Sequence, residues 1–180
     1  MINVIWHKEP VIETDRLILR PLTVADAKAV LEWAGDSRVS KYMAYTGYDD
    51  INIAIEWLSS LADEKKEWNW GFVLKENGKL IGSGSIGEDK FMAGYWGIGY
   101  NIRYDCWNKG YTTEAMKAII SFSHNELGVD KICSDHAVDN PASGRVMEKC
   151  GLTFDHFDEY SKIDGSQTFK CKFYKMELSQ

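Results

Sequence analysis

The run Trp107-Asn108-Lys109-Gly110-Tyr111-Thr112-Thr113-Glu114-Ala115 is the part of this chain best suited to chemistry. An extended segment, Tyr95 to Ile102, leads into it, and a helical segment, Ala115 to Leu127, leads out. A strand feeding a small-residue loop that opens a helix presents unpaired backbone N–H groups at a positive dipole end. That combination holds phosphate and pyrophosphate. Arg103, Lys109 and Arg145 are cations able to supplement those N–H groups. The plainer alternative is a helix N-terminus with Thr112 as its cap. Further along, Asn140-Pro141-Ala142-Ser143 to Lys149-Cys150-Gly151 reads as a short helix. Asn140 caps it, Pro141 takes its first position and Gly151 follows its end.

The remaining elements must position these two runs. Val11 to Arg20 is a strand with Leu17 and Leu19 on one face. Thr23-Val24-Ala25-Asp26 has the form of a capping box. It opens a helix with Val24, Ala27, Val30, Leu31 and Ala34 at helical spacing. A second helix is predicted from about Asp50 to Lys66, with Ile51, Ile55, Leu58 and Ala62 as its stripe. Between them the aromatic stretch Ser37 to Tyr48 is a candidate substrate loop. Gly71 to Glu76 and Leu80 to Ile86 flank Asn77-Gly78 as a hairpin, and Leu152 to Lys162 and Gln167 to Leu178 flank Asp164-Gly165 as another. Lys131 to Ala137 is a further strand. The order β-α-α-β-β-β-α-β-α-β-β implies one domain over residues 1–180, an α/β (α+β) mixed sheet with helices on both faces.

Several function classes are disfavoured. Gly82-Ser83-Gly84-Ser85-Ile86-Gly87 fits G-x-G-x-x-G, but a dinucleotide fingerprint must open a helix, and here the charged turn Glu88-Asp89-Lys90 follows. It reads instead as small residues on a strand that a backbone or ligand approaches closely. A net charge of −6 argues against nonspecific nucleic-acid or anionic-membrane binding and suits a cationic substrate. Cys106, Cys133, Cys150 and Cys171 show no C-x-x-C spacing, so no metal site is expected and reduced thiols in a cytoplasmic protein are. The first ten residues lack the apolar core of a signal peptide, and no uncharged run is long enough to span a bilayer.

The two central runs resemble the acetyl-CoA site of the GNAT superfamily of N-acetyltransferases. Trp107-x-x-Gly110-x-Thr112 falls on the family's [Q/R]-x-x-G-x-[G/A] frame, and Asn140-Pro141-Ala142-Ser143 to Gly151 on its N-x-x-S…[EK]-K-x-G-[FL] segment. Within the family the chain looks most like the subgroup that acetylates ribosomal-protein N-termini. That subgroup reads W-G-x-G-[YIL]-[AM]-[TS]-E-A at the loop, and Glu13-Thr14-Asp15-Arg16-Leu17-Ile18-Leu19-Arg20 resembles its opening. Asn108 and Thr112 depart from the loop pattern. Asn is the non-glycine residue that best tolerates positive φ, so the turn survives the change.

The resemblance implies a GNAT fold with a mostly antiparallel sheet of about seven strands. It also implies acetyl-CoA as cosubstrate, held by Ile102, Trp107, Asn108, Lys109, Gly110, Tyr111, Thr112, Thr113, Asn140 and Ser143. In the implied reaction a neutral amine attacks the thioester carbonyl in a ternary complex, beside a splayed strand Tyr95 to Ile102. Ser143 or a nearby Tyr returns a proton to the thiolate, whose pKa of about 8.5 requires little help. Glu159 is the base that the resemblance suggests, with Glu88 as the alternative. The acceptor is a protein N-terminus or a small-molecule amine, with Asp49, Asp50, Glu88, Asp89, Tyr42, Tyr45, Tyr48 and Trp96 as candidate cleft residues. The rival reading is a non-catalytic acyl-CoA sensor or regulatory module. Oligomeric state is left open, a homodimer being one option.

Overall fold

In a computed structural model, residues 9–62 and 67–179 are described. The expectation for the first ten residues therefore falls almost wholly outside them. Eight strands form one sheet: β1 (Ile12–Glu13), β2 (Leu17–Pro21), β3 (Glu67–Leu74), β4 (Leu80–Glu88), β5 (Trp96–Ile102), β6 (Lys131–Ala137), β7 (Thr153–Ser161) and β8 (Thr168–Glu177). Their spatial order is β1-β2-β3-β4-β5-β6-β8-β7, antiparallel throughout except for β5 beside β6. Among the described residues the α-helices are α1 (Ala27–Ala34), α2 (Ser37–Ser40), α3 (Ile51–Leu61), α4 (Tyr111–Leu127) and α5 (Pro141–Lys149).

The strand alternation sorts the core into two layers. Leu17, Leu19, Trp70, Phe72, Ile86 and Ile98 face α4 and α5 and pack on Ala115, Met116, Ile119 and Met147. Val73 and Leu80 join Val30, Trp33, Ala54 and Leu58 of α1 and α3 in the other layer. Each fully buried side chain of this size is worth about 1.5–3 kcal/mol relative to exposure.

Several predicted boundaries shift for local reasons. The first strand is two, because Thr14 N–H donates to the Leu17 carbonyl and turns the chain between them. The capping box forms over a 3-10 turn, Val24–Asp26, which leaves Val24 46% exposed rather than in the stripe. α3 ends at Leu61; of the residues predicted to extend it, 63–66 lie outside the described ones. Ala54 and Leu58 form its buried face, while Ile51 is exposed. β3 begins at Glu67 rather than Gly71, so that Trp68, Trp70 and Phe72 alternate into the α4 layer.

The glycines at 82, 84 and 87 lie within β4 and open no helix. A Cβ at Gly82 would sit 2.4 Å from the Asn101 carbonyl oxygen, and one at Gly84 would sit 2.6 Å from Phe72. Close approach, not dinucleotide binding, explains that run.

Candidate active site

The parallel strands β5 and β6 pair only at Trp96↔Ile132 and Gly97↔Cys133. Beyond Gly97 they diverge, as the family resemblance implies for this strand. The Ile98 carbonyl is satisfied not by a ladder partner but by the Ser134 hydroxyl, which donates to it at 2.8 Å. The split opens a cleft of about 470 Å³. Of the predicted cosubstrate residues, Ile102, Trp107, Asn108, Gly110, Tyr111, Thr112, Thr113, Asn140 and Ser143 line it, and Lys109 does not.

The anion cradle is built by backbone geometry. Asn108 (φ 59°) and Gly110 (φ 80°) both adopt left-handed conformations, and Asn108 is the only described non-glycine residue to do so. Gly110 thereby becomes the N-cap of α4, which begins at Tyr111 instead of Ala115, and Thr112 is not the cap. The first bond of the helical ladder runs from Glu114 N–H to the Gly110 carbonyl at 3.0 Å. The N–H groups of Tyr111, Thr112 and Thr113 precede that ladder, at the positive end of a 17-residue helix. Trp107 packs against Tyr104, and its indole N–H donates to the Ile102 carbonyl at 3.0 Å. Among the candidate cations, Arg103 is committed to Glu32 and Asp105. Arg145 and Lys149, one turn apart on α5, line the cleft.

The N-terminal motif has a defined task here. The Thr14 hydroxyl and the Arg16 N–H donate to one oxygen of Glu114 at 2.6 and 2.8 Å, and Arg16 Nε donates to the other at 2.7 Å. Arg16 Nη1 reaches the Lys109 carbonyl at 2.9 Å, and the guanidinium lies over the Tyr111 ring at 4.5 Å. One arginine thus fixes both the cradle loop and the helix it opens. Burial opposes the charge of Glu114, but the bonds from Thr14 and Arg16 outweigh it, and its pKa lies below the ordinary value. A depressed carboxylate pKa stabilises the folded state above the unfolded-state pKa, about 4.3, and the benefit is lost as pH falls through the folded pKa. Glu114→Gln is therefore expected to lower the melting temperature at pH 7. Melting curves should show the stability deficit shrinking below about pH 4.

Asn140 precedes α5, but its side chain makes no capping bond, while Pro141 at the first turn removes one N–H that would otherwise need a partner. Its amide is left facing the cleft. Ser143 Oγ lies 3.0 Å from the Tyr100 hydroxyl, which also donates to the Ser143 carbonyl at 2.9 Å. Burial raises the Tyr100 pKa, holding the phenol in its protonated form. Sequence reasoning allowed for a tyrosine partner without identifying it; its position on the splayed strand supplies the assignment.

The carboxylates fall differently from expectation. Glu159 lies on the exposed β7, opposite Lys170, and does not line the cleft; its neighbour Tyr160 does. Glu88, at the end of β4, is exposed and also absent from the lining. Asp50 caps α3, accepting from Asn52 N–H at 2.8 Å, and Asp49 and Trp96 line neither this cleft nor its neighbour. The carboxylate in the cleft is Asp135 on β6. Its surface is open to the cleft, yet surrounding protein atoms crowd it. That burial raises its pKa, helped by the charges of Asp89 and Asp158 and opposed by Cys171 and His136. A charged residue in an otherwise uncharged strand segment, Cys133-Ser134-Asp135, was the available signal. Burial holds the thiols of Cys150 and Cys171 up at about 11 and that of Cys133 at about 12, poor values for a nucleophile.

The cleft is roofed by residues 38–44, anchored from the far end of the chain. The Lys162 ammonium donates to the carbonyls of Ser40, Met43 and Tyr45 at 3.0, 3.0 and 3.1 Å, which uses all three of its protons. The Tyr160 hydroxyl donates to the Tyr42 carbonyl at 2.6 Å, and Ile163 N–H to that of Ala44 at 2.8 Å.

A sheet split between β5 and β6, with a helix-capped anion cradle beside the split, has counterparts among known proteins. The acetyltransferase (GNAT) domain model matches residues 16–153, and the chain belongs to that family. The uncharacterized N-acetyltransferase YoaA of Bacillus subtilis (strain 168) is 31% identical over 148 residues, covering 79% of this chain and 82% of that one. A GNAT-family acetyltransferase from Bacillus anthracis superposes with a TM-score of 0.81 at 24% identity, covering 93% of this chain and 98% of that one. A spermidine N-acetyltransferase from Vibrio cholerae, solved with CoA and spermine, gives 0.78 at 17% identity, covering 92% and 97%. The chain is an acetyltransferase of GNAT fold.

Proposed function

We propose that this chain transfers the acetyl group of acetyl-CoA to a primary amine, by direct attack within a ternary complex. The observation that carries the proposal is a single cleft that joins the α4 cradle to the unpaired edge of β5 and to Asp135. Acetyl-CoA supplies the activated acyl group, and the residues present suit it. The Tyr111, Thr112 and Thr113 N–H groups, with Arg145 and Lys149, suit a pyrophosphate. The uncommitted Asn140 amide suits the pantetheine arm.

The protein's own groups then have three tasks. Asp135 accepts a proton from the acceptor's ammonium, which frees the lone pair for attack on the carbonyl carbon. A raised pKa brings a carboxylate closer to the range where a general base works best. The β5 edge beyond Gly97 offers backbone N–H groups to the carbonyl oxygen as it gains charge. As the C–S bond breaks, the Ser143 hydroxyl, held beside that of Tyr100, gives its proton to the departing sulfur and takes up the proton that the nitrogen sheds as the amide forms. With the thiols held protonated, direct transfer is favoured over an acyl-cysteine intermediate.

We also propose one catalytic domain over residues 1–180 and a cytoplasmic location. Free thiols fit a reducing compartment, and no helix among the described residues is long and apolar enough to cross a membrane. Thiol release should require both acetyl-CoA and an amine when a panel of primary amines is screened. Acetyl-CoA binding without thiol release from any amine would overturn the enzymatic reading in favour of an acyl-CoA sensor.

A further inference from the structure

A second cavity, of about 160 Å³, lies on the opposite face of the sheet, between β3–β5 and the layer of α1 and α3. It meets the first cleft at Gly99, Tyr100 and Asn101, with Met43 shared by both roofs. Trp33, Trp57, Tyr45 and Tyr48 wall it, and Tyr45 and Tyr48 are in ring contact at 5.1 Å. Its floor is polar but neutral: Asn69, Ser83, Ser85 and Asn101, with Ser83 donating to the Asn101 side-chain carbonyl at 3.1 Å. Among the described residues, Glu67, exposed at the start of β3, is the one carboxylate in the lining, and no Lys, Arg or His contributes to it.

Resting on the acetyltransferase reading, we infer that the acceptor is a compact primary monoamine with an aromatic or aliphatic body and no carboxylate. Size sets the first limit, since an apolar cavity of roughly 150 Å³ takes about one benzene ring. Chemistry sets the second. Two indoles and two phenols present π-faces that favour apolar bodies and cations alike. A polyamine carries several cations, and among the described residues the single rim carboxylate offers no second counter-charge along the cavity. An amino acid carries a carboxylate, and the described lining has no cation to receive it.

The junction orients the molecule. Gly99, Tyr100 and Asn101 of β5 line this cavity, and Gly97 pairs with Cys133 just before the strands part. By strand alternation Gly99 and Asp135, each two residues further on, lie on the same face of the sheet as that pair, with no pairing between them. Gly99 carries no side chain to close the passage, and a Cβ there would sit 3.4 Å from Ser85 Oγ. An amine whose body fills the aromatic cavity would project its nitrogen past Gly99 toward Asp135 and the first cleft.

The test is steady-state thiol release with 2-phenylethylamine, phenylalanine, spermidine and a serine-initiated tetrapeptide as acceptors. 2-Phenylethylamine should lead the others in kcat/KM by about tenfold or more, and Ser85→Leu, which fills the cavity, should raise its KM by about tenfold. In the same variant the calorimetric Kd for acetyl-CoA should not change. Spermidine, phenylalanine or the peptide leading in the wild-type protein would overturn the inference and leave the acetyltransferase reading intact. So would an unchanged KM in a folded Ser85→Leu. Acetyl-CoA binding with no amine turned over would overturn both. The wild-type panel decides the matter even where the variant does not fold.

Discussion

Asp135→Asn is expected to lower kcat about a hundredfold while the melting temperature at pH 7 rises slightly. The two effects share one cause. Burial and the neighbouring carboxylates of Asp89 and Asp158 raise the Asp135 pKa, so the folded protein binds its proton more tightly than the unfolded chain does. Stability from this group is then greatest when it is protonated, and it falls as pH rises from the unfolded pKa, about 3.9, through the raised folded value. At pH 7 the ionised carboxylate costs stability, and a neutral amide of the same shape removes that cost. The amide cannot accept the proton, so the chemical step slows. Thermal melts and pH–kcat profiles separate this from a structural role. The wild-type profile should fall at acid pH along a limb that Asp135→Asn lacks. Equal losses of kcat and melting temperature would assign Asp135 to packing instead.

The second large effect concerns the cofactor end of the cleft. Gly110→Trp should weaken acetyl-CoA binding more than a hundredfold by calorimetry. Two costs combine there. A side chain in the left-handed region costs about 1–2 kcal/mol, and the indole would project from the mouth of the cradle, where a Cβ already lies 3.4 Å from Arg16 Nη2. Gly165→Ala is the matched control. Gly165 has a φ of 71°, and a Cβ there meets nothing within 4 Å, so it bears the backbone cost on the distant β7–β8 hairpin. That variant should lose stability and retain cosubstrate affinity. Equal binding losses in both variants would place the effect of Gly110→Trp in stability and not in the cradle.

What could be read from the sequence followed the physics of local patterns. Leu17 and Leu19, the Asn77-Gly78 and Asp164-Gly165 turns, and the helix from the cradle to Gly128 depend on neighbouring residues, and the structure contains them all. The cradle residues were legible for the same reason, since a loop and its helix are contiguous. β3 starts four residues before the expected Gly71, and both faces of Trp68-Asn69-Trp70 are buried, one by long-range packing that local sequence does not reveal. The carboxylate in the cleft was not legible. Position in a motif favours Glu159, but which side chains reach the cleft is decided by where β5 and β6 part, a contact between distant segments. The role of Thr14 and Arg16 likewise depends on Glu114, about a hundred positions away, which nothing local to either reveals.

The lysine-anchored roof has a bearing on how such a protein can diversify. Residues 40–46 hold their course over the two cavities through a hairpin more than a hundred positions distant, while the α4 cradle is secured by unrelated contacts at Arg16. The recognition of the two substrates is therefore inherited through separate stretches of chain. A lengthened or shortened turn at 162–167 would redraw the acceptor chamber and leave untouched the apparatus that grips the shared acyl donor.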